Sequence, residues 1–125
     1  MIGGLMEKIL VVDDEPDILR LVEVVLEASH EWHVLCASDG DQAVEVAQRE
    51  HPRAILLDGR MPGGGGAATL ERIRTDPAMR DTPVILMTAL ANESDTTVPP
   101  GFAGVIAKPF DPLTLPEQIR AILAS

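Results

Sequence analysis

Five short apolar runs divide this chain, and each is followed at once by a polar or charged residue. A run of roughly 4–8 apolar residues bounded by turn-forming residues is typical of a strand that is buried on both faces of a parallel sheet. The clearest run spans residues 54–57 and leads directly into Asp58 and Gly59. The sequence therefore predicts five buried strands, at residues 8–12, 33–37, 54–57, 84–87 and 105–107.

The segments between the first four runs carry apolar residues at helical spacing. We expect helices over residues 16–29, 39–50 and 67–75, with Pro16 in a first turn, where its missing N–H costs nothing. Four consecutive glycines occupy residues 63–66, and their large backbone entropy predicts a mobile loop there.

The chain beyond the fourth run is less regular. Pro99, Pro100 and Gly101 interrupt residues 90–103, so only a shortened fourth helix is expected there. The last helix begins either at a capping box formed by Thr114 and Glu117 or a few residues earlier at Asp111.

Strands that alternate with helices favour one α/β domain with a doubly wound parallel sheet and right-handed crossovers. The flavodoxin-like strand order 2-1-3-4-5 fits this pattern best. We expect one domain over residues 1–125, with an ordered core at about 7–124.

Composition excludes several classes of partner. The formal net charge is −10, no basic cluster is present, and only two Phe and one Trp could stack on bases, so direct nucleic-acid binding is not expected. No apolar run approaches the roughly 20 residues that span a bilayer, so membrane insertion is not expected either. The expected location is the cytoplasm, and the single Cys36 is expected to be a buried thiol.

Polar residues at the strand ends form the candidate site. Asp13 and Asp14 follow the first run, Asp58 the third, Thr88 the fourth and Lys108 the fifth. Because the carboxyl ends of parallel strands meet at one edge of the sheet, all five should line one cleft. Carboxylates about 5 Å apart repel by roughly 3 kcal/mol per pair at an effective dielectric of 20, which favours a bound cation. Oxygen ligands favour Mg²⁺, and a carboxylate beside metal, ammonium and hydroxyl is equipped to accept a phosphoryl group.

Four blocks of the sequence together resemble the response-regulator receiver domain of two-component signalling, in its single-domain, chemotaxis-type form. They are Val-Val-Asp13-Asp14-Glu15, Leu-Asp58-x-x-Met61-Pro62, Met-Thr88-Ala89 and Lys108-Pro109-Phe110. The resemblance runs from Lys8 to Leu123, and each block lies at the end of a predicted strand.

The resemblance implies a role for each matching residue. Asp58 would accept a phosphoryl group from a sensor histidine kinase or a phosphotransfer protein, and Thr88 and Lys108 would hold the phosphoryl oxygens. Asp14, Asp58 and the backbone carbonyl of Arg60 would bind Mg²⁺ directly, with Asp13 acting through water. The bond before Pro109 would be cis. The output would be contact with a downstream protein whose identity the sequence does not give, and the chain would be a switch rather than an enzyme.

Two positions depart from the family pattern. Val105 stands three positions before Lys108, where relatives carry an aromatic switch residue. Arg60 lies two positions after Asp58, facing the expected mouth of the cleft, where it either pairs with a carboxylate or with phosphate, or is simply solvated.

Three alternatives differ in class. A degenerate receiver that works without phosphorylation is favoured by Val105. An aspartyl-phosphate phosphatase of the haloacid-dehalogenase type needs Asp-x-Asp after its first strand, whereas Asp13 and Asp14 are adjacent here. A flavin carrier needs a Ser/Thr-rich phosphate loop after the first strand, and none is present.

Overall fold

A computed structural model of the chain describes residues 6–61, 65–89 and 97–125. Strands and helices alternate up to residue 88, as the apolar pattern predicts, and two strands then follow one another in the described residues. In chain order they are β1 (Glu7–Val12), α1 (Pro16–Ala28), β2 (Trp32–Ala37), α2 (Gly40–Glu50), β3 (Ala54–Asp58), α3 (Gly65–Thr75), β4 (Val84–Thr88), β5 (Gly104–Ala107) and α4 (Leu115–Ala124).

The five strands form one sheet in the order β2-β1-β3-β4-β5, and every neighbouring pair is parallel. This confirms the predicted flavodoxin-like topology. The central strand β3 is buried along its whole length, which explains why its sequence is continuously apolar up to Asp58. Asp58 is aligned with Met87 of β4, so β3 and β4 end side by side.

Helices cover both faces of the sheet, and each face has its own core. On one face, α1 and α4 bury Val22, Leu26 and Ile119 against residues of the strands. On the other face, α2 and α3 bury Ala47 and Ile73. Alternate strand residues point to the two faces, so the two cores share the sheet as their common wall.

The prediction that the glycine tract is a mobile loop is wrong for its second half. Residues 63 and 64 lie outside the described residues, but Gly65 and Gly66 are the first two residues of α3, and Gly66 is buried. Glycine is needed at these two positions despite its entropy cost, because the start of α3 approaches the backbone of Asp58 and Gly59 too closely to leave room for side chains.

The capping box predicted at Thr114 does not form. Thr114 has an αR backbone, and its side chain makes no capping hydrogen bond. The helix nevertheless begins at Leu115 with Thr114 in the N-cap position, so the earlier start at Asp111 is wrong. Asp111 instead forms a turn before the helix, in which its carbonyl accepts from Leu115 N–H at 3.0 Å and its side chain accepts from Leu113 N–H at 2.9 Å.

The predicted short fourth helix falls mainly on residues 90–96, which lie outside the described residues. Residues 97–103 are described and contain no helix. They are held against α3 by Arg74, whose guanidinium donates to the carbonyl of Gly101 at 2.8 Å and to those of Arg80 and Thr82 at 3.1 and 2.8 Å.

Cys36 is exposed, contrary to the prediction of a buried thiol. It lies on β2, an edge strand that the helices cover only in part. Partial burial, followed by the charges of Glu23 and Glu27, raises the pKa of the thiol, which keeps it in its less reactive protonated form. No helix among the described residues is long and apolar enough to cross a membrane.

Candidate functional site

The carboxyl edge of the sheet collects the polar residues that were singled out from the sequence. Asp13 follows β1, Asp58 ends β3, Thr88 ends β4 and Lys108 follows β5. Since the four strands are parallel neighbours, these positions lie side by side although Asp13 and Lys108 are 95 residues apart in sequence.

Three carboxylates form an acidic cluster at this edge. Asp13, Asp14 and Asp58 each offer one oxygen, and these oxygens lie within 4.8 Å of one another. Asp13 is fully buried and Asp58 is 4% exposed, whereas Asp14 is exposed to solvent. A set of carboxylate oxygens that is open on one side suits a hard cation that keeps part of its water shell.

Lys108 supplies the positive charge nearest to this cluster. Its Nζ donates to Asp13 Oδ2 at 2.7 Å and lies 3.3 Å from Asp58 Oδ1. The side chain is only 18% exposed, so water screens these contacts weakly. The Lys108–Pro109 peptide bond is cis, as the resemblance implies.

Backbone N–H groups hold the carboxylates from the opposite direction. Asp13 Oδ1 accepts from Glu15 N–H at 3.0 Å, and Asp58 Oδ1 accepts from Arg60 N–H at 3.2 Å. Each carboxylate is thus bonded to the amide two residues later, which fixes its orientation before any ligand arrives.

The electrostatic environment shifts two pKa values. Burial, reinforced by the charge of Asp13, raises the pKa of Asp58 despite the opposing bonds from Arg60 N–H and Lys108. Burial alone would lower the pKa of Lys108, but its hydrogen bond to Asp13 and the charges of Asp13 and Asp58 outweigh burial and raise it. The ammonium of Lys108 therefore stays charged. Its single positive charge does not balance three carboxylates, so the cluster still favours a bound cation.

A cleft of about 310 Å³ opens above these groups. Asp14, Asp58, Thr88 and Lys108 line it together with Glu15, Arg60 and Ala89. All six predicted site residues are therefore at one place, five of them in the wall of the cleft and Asp13 beneath it. The Arg60 side chain is exposed and makes no ion pair with any residue in the described ranges.

Two features of the site were not foreseen. One is the direct hydrogen bond from Lys108 to Asp13, whereas the resemblance implied only that Lys108 would hold phosphoryl oxygens. The other is the packing of Gly65 and Gly66 against the backbone of Asp58 and Gly59. Two glycines seven and eight positions after the acidic residue are the only sequence signal for this packing, and composition alone does not separate them from the rest of the tract.

An apolar groove of about 360 Å³ adjoins the cleft. Ile18 and Leu21 of α1 form one wall, and Pro109 and Phe110 form the other. Glu15, Ala89 and Lys108 line both the groove and the cleft, so the two openings are continuous. Leu113, in the same β5–α4 connection, is 91% exposed.

Known sequences match the chain over most of its length. The family described as the response regulator receiver domain matches residues 9–120. A protein of Porphyridium aerugineum named "Probable transcriptional regulator ycf27" is 39% identical over 119 residues, which cover 94% of this chain and 48% of that protein. "Response regulator PleD" of Caulobacter vibrioides is 37% identical over 92% of this chain and 26% of that protein. The chain thus spans about half, or less, of these curated relatives.

Solved structures match the fold. The chemotaxis response regulator CheY4 of Vibrio cholerae has a TM-score of 0.81 and 28% identity, over 94% of this chain and 99% of that one. The N-terminal domain of a response regulator receiver protein from Methanoculleus marisnigri has a TM-score of 0.74 and 33% identity, over 97% and 99%. With the acidic cluster, the lysine and the threonine at the expected strand ends, these matches show that the chain belongs to the receiver domains of two-component response regulators.

Proposed function

We propose that Asp58 is the phosphoacceptor of this receiver domain. The observation that carries the proposal is the position of its carboxylate, which lies at the floor of the polar cleft within 3.3 Å of the Lys108 ammonium. Asp13 is fully buried and does not line the cleft, and Asp14 is exposed beyond the end of β1, so Asp58 is the carboxylate best placed to attack an incoming phosphorus.

Receiver domains bind Mg²⁺, and the acidic cluster has the donor set for this ion. The exposed Asp14 and the cleft-facing Asp58 are the residues that would bind it directly, together with the backbone carbonyl of Arg60. Asp13 is buried and already has two partners, which suits action through a water molecule. When bound, the ion would neutralise charge on the phosphoryl oxygens.

Three residues of the cleft take part directly in the transfer. An oxygen of Asp58 attacks phosphorus, the phosphorus–nitrogen bond of a phosphohistidine donor breaks, and the donor imidazole leaves with the electron pair. Lys108 Nζ turns from the carboxylates to the new phosphoryl oxygens, and the Thr88 hydroxyl donates to another of them. Because both groups are already at the cleft wall, little reorganisation accompanies the step.

The donor in this proposal is a histidine kinase or a phosphotransfer protein, and it docks over the apolar groove. Leu21 and Val24 of α1 are 39% and 52% exposed, and Leu113 of the connection between β5 and α4 is 91% exposed. A protein that covers these side chains places its phosphohistidine at the continuous opening above Asp58. Apolar anchors close to a polar reaction centre are the usual composition of such contacts.

The output in this proposal is a change of protein contacts, made in the cytoplasm and without turnover of a separate substrate. Val105 is half-buried on β5 and has no ring to reorient behind Thr88. We therefore place the response in the connection between β4 and β5, whose first residue, Ala89, lines the cleft and whose far end is held by Arg74.

Mass spectrometry of the intact protein after treatment with acetyl phosphate and Mg²⁺ tests the proposal. One phosphate should be added to the wild type and to Asp81→Asn, a control at an exposed aspartate, and none to Asp58→Asn. Addition of phosphate to Asp58→Asn would reject Asp58 as the acceptor. Absence of phosphate from all three proteins would reject it too. The second outcome would favour a degenerate receiver, and release of inorganic phosphate over many turnovers would indicate a phosphatase.

A further inference from the structure

The backbone behind the phosphoacceptor is enclosed on two sides. Gly59 N–H donates to the carbonyl of Met87 on β4 at 2.9 Å, and the carbonyl of Gly59 accepts from Gly66 N–H of α3 at 3.4 Å. The peptide that follows Asp58 is therefore fixed between a strand and the first turn of a helix.

This enclosure has no space for a side chain on α3. A Cβ atom at Gly66 would lie 3.1 Å from the carbonyl oxygen of Asp58 and 3.3 Å from Gly59 Cα. Both are backbone atoms, which cannot rotate away as the end of a side chain can. Gly65, with a φ of +72°, approaches as closely, since its Cβ would lie 3.0 Å from the carbonyl oxygen of Gly59.

A shift of this backbone reaches the reactive groups directly. Asp58 contributes both the carbonyl that Gly66 contacts and the carboxylate that lies 3.3 Å from Lys108 Nζ. The amide two residues later, Arg60 N–H, holds the same carboxylate at 3.2 Å. A displacement of a few tenths of an ångström at the carbonyl therefore moves the nucleophile and the bond that orients it together.

We propose that Gly66 is a positioning residue for phosphoryl transfer, whose missing side chain allows α3 to set the place of the Asp58 carboxylate. The inference rests on the proposed phosphorylation of Asp58. It predicts that even the smallest side chain at Gly66 slows the transfer by more than it reduces the folded fraction. Misplacement of reacting groups by about 1 Å can cost about 100-fold in rate, so a shift of a few tenths should cost about tenfold.

Gly66→Ala is the test variant, and Gly104→Ala is its matched control. Gly104 is also a crowded glycine, because a Cβ there would lie 2.8 Å from side-chain atoms of Ile122. It is the first residue of β5, so it lies at the amino ends of the parallel strands, away from the cleft at their carboxyl ends. Each variant is compared with the wild type and with Asp58→Asn, which reports separately on the proposed acceptor.

Three measurements separate positioning from general strain. They are the free energy of unfolding in urea, the phosphorylation rate with acetyl phosphate at saturating Mg²⁺, and the amide resonances of Gly59 and Arg60 in Mg²⁺-free protein. We expect the rate of Gly66→Ala to fall about tenfold per folded molecule and both resonances to move, whereas Gly104→Ala keeps the wild-type rate and resonances even where it loses stability.

A wild-type rate in folded Gly66→Ala, or an equal loss in Gly104→Ala, would overturn the inference. If Gly66→Ala is largely unfolded, an osmolyte such as trimethylamine N-oxide, which strengthens burial, raises its folded fraction without touching the site. The rate per folded molecule should remain about tenfold below that of the wild type in the same osmolyte, and equal rates would again reject the role of Gly66. Absence of phosphorylation in the wild type would instead reject the proposed acceptor.

Discussion

The ammonium of Lys108 reduces the repulsion between the carboxylates of the acidic cluster, as a bound metal ion would. Removing this charge should therefore make the stability of the fold depend on an added cation. The variant Lys108→Met keeps an unbranched apolar stem and loses only the ammonium. In the wild type, Nζ lies 2.7 Å from Asp13 and 3.3 Å from Asp58, with 18% of the side chain exposed.

The size of the effect follows from these distances. At about 3 Å and an effective dielectric of 20, each contact is worth about 5 kcal/mol of Coulomb attraction. The cost of desolvating the ammonium cancels a large part of this attraction, so the net stabilisation is smaller. Breaking a buried ion pair by removing one partner costs about 3–5 kcal/mol. We expect a loss of about 3 kcal/mol without Mg²⁺, or about 10 °C in melting temperature for a domain of this size.

Mg²⁺ should restore the loss, because a divalent cation replaces the missing charge and no longer competes with the ammonium. An ion at about 100 times its dissociation constant adds about 2.7 kcal/mol. Thermal unfolding with and without millimolar Mg²⁺ measures the effect. The stabilisation by Mg²⁺ should be larger in Lys108→Met than in the wild type.

Lys8→Met is the matched control. Lys8 pairs with Glu50 at 3.0 Å, but the two side chains are 43% and 29% exposed. Such a pair is worth less than about 1 kcal/mol, and its loss should not alter the response to Mg²⁺. If Lys108→Met is as stable as the wild type without Mg²⁺, or if Mg²⁺ stabilises both equally, the competition between lysine and metal does not exist.

Three further predictions concern pH, docking and the β4–β5 connection. The raised pKa of Asp58 means that its contribution to stability is complete below its unfolded pKa of about 3.9 and is lost as pH rises through the folded value. Asp58→Asn in Mg²⁺-free buffer should therefore unfold at a higher temperature than the wild type at pH 7, with a difference that shrinks towards pH 4; a constant difference would contradict this. Leu113→Asp should slow phosphorylation from a protein phosphohistidine about tenfold, or about 1.4 kcal/mol, and leave the rate with acetyl phosphate unchanged, whereas equal effects on both donors would argue against the groove as the docking surface. Arg74→Met should speed hydrogen exchange in residues 97–103, because the carbonyl of Gly101 loses the donor that ties this segment to α3, and unchanged exchange there would show that Arg74 does not hold this segment.

The sheet and the location of the cleft could be predicted because both depend on patterns that recur along the whole chain. Buried parallel strands must be apolar throughout, so the run before Asp58 is visible without any structure. Once five such runs alternate with helices, parallel topology brings their carboxyl ends together. That rule places Asp13, Asp58, Thr88 and Lys108 at one edge although no local signal connects them.

The predictions that were wrong share a physical cause. Each rested on the intrinsic preference of one residue type and ignored the groups that pack against that residue. Glycine favours flexible backbone, yet Gly66 lies in α3, at a point where the Asp58 carbonyl is too close for any residue with a Cβ. Thr114 prefers to cap a helix, yet the turn at Asp111 already supplies an acceptor to Leu115 N–H. Cys36 prefers burial, yet its strand is at the edge of the sheet.

Details of the site were beyond the sequence for a related reason. Lys108 contacts Asp13 and Asp58 at once, and the choice between these partners depends on differences of less than an ångström in where β5 ends relative to β1 and β3. Residue types and spacing predict which groups meet, but they do not predict such distances.

The distance in sequence between Lys108 and Asp13 has a consequence for the synthesis of the protein. The two residues are 95 positions apart, so the carboxylates are made long before the lysine that neutralises them. A nascent chain that has left the ribosome only as far as β4 can bring its acidic residues together but lacks their counter-charge and one edge of the sheet. The site therefore becomes complete only after β5 and Lys108 have been made, and a nascent chain that stops before them has acidic residues without their counter-charge.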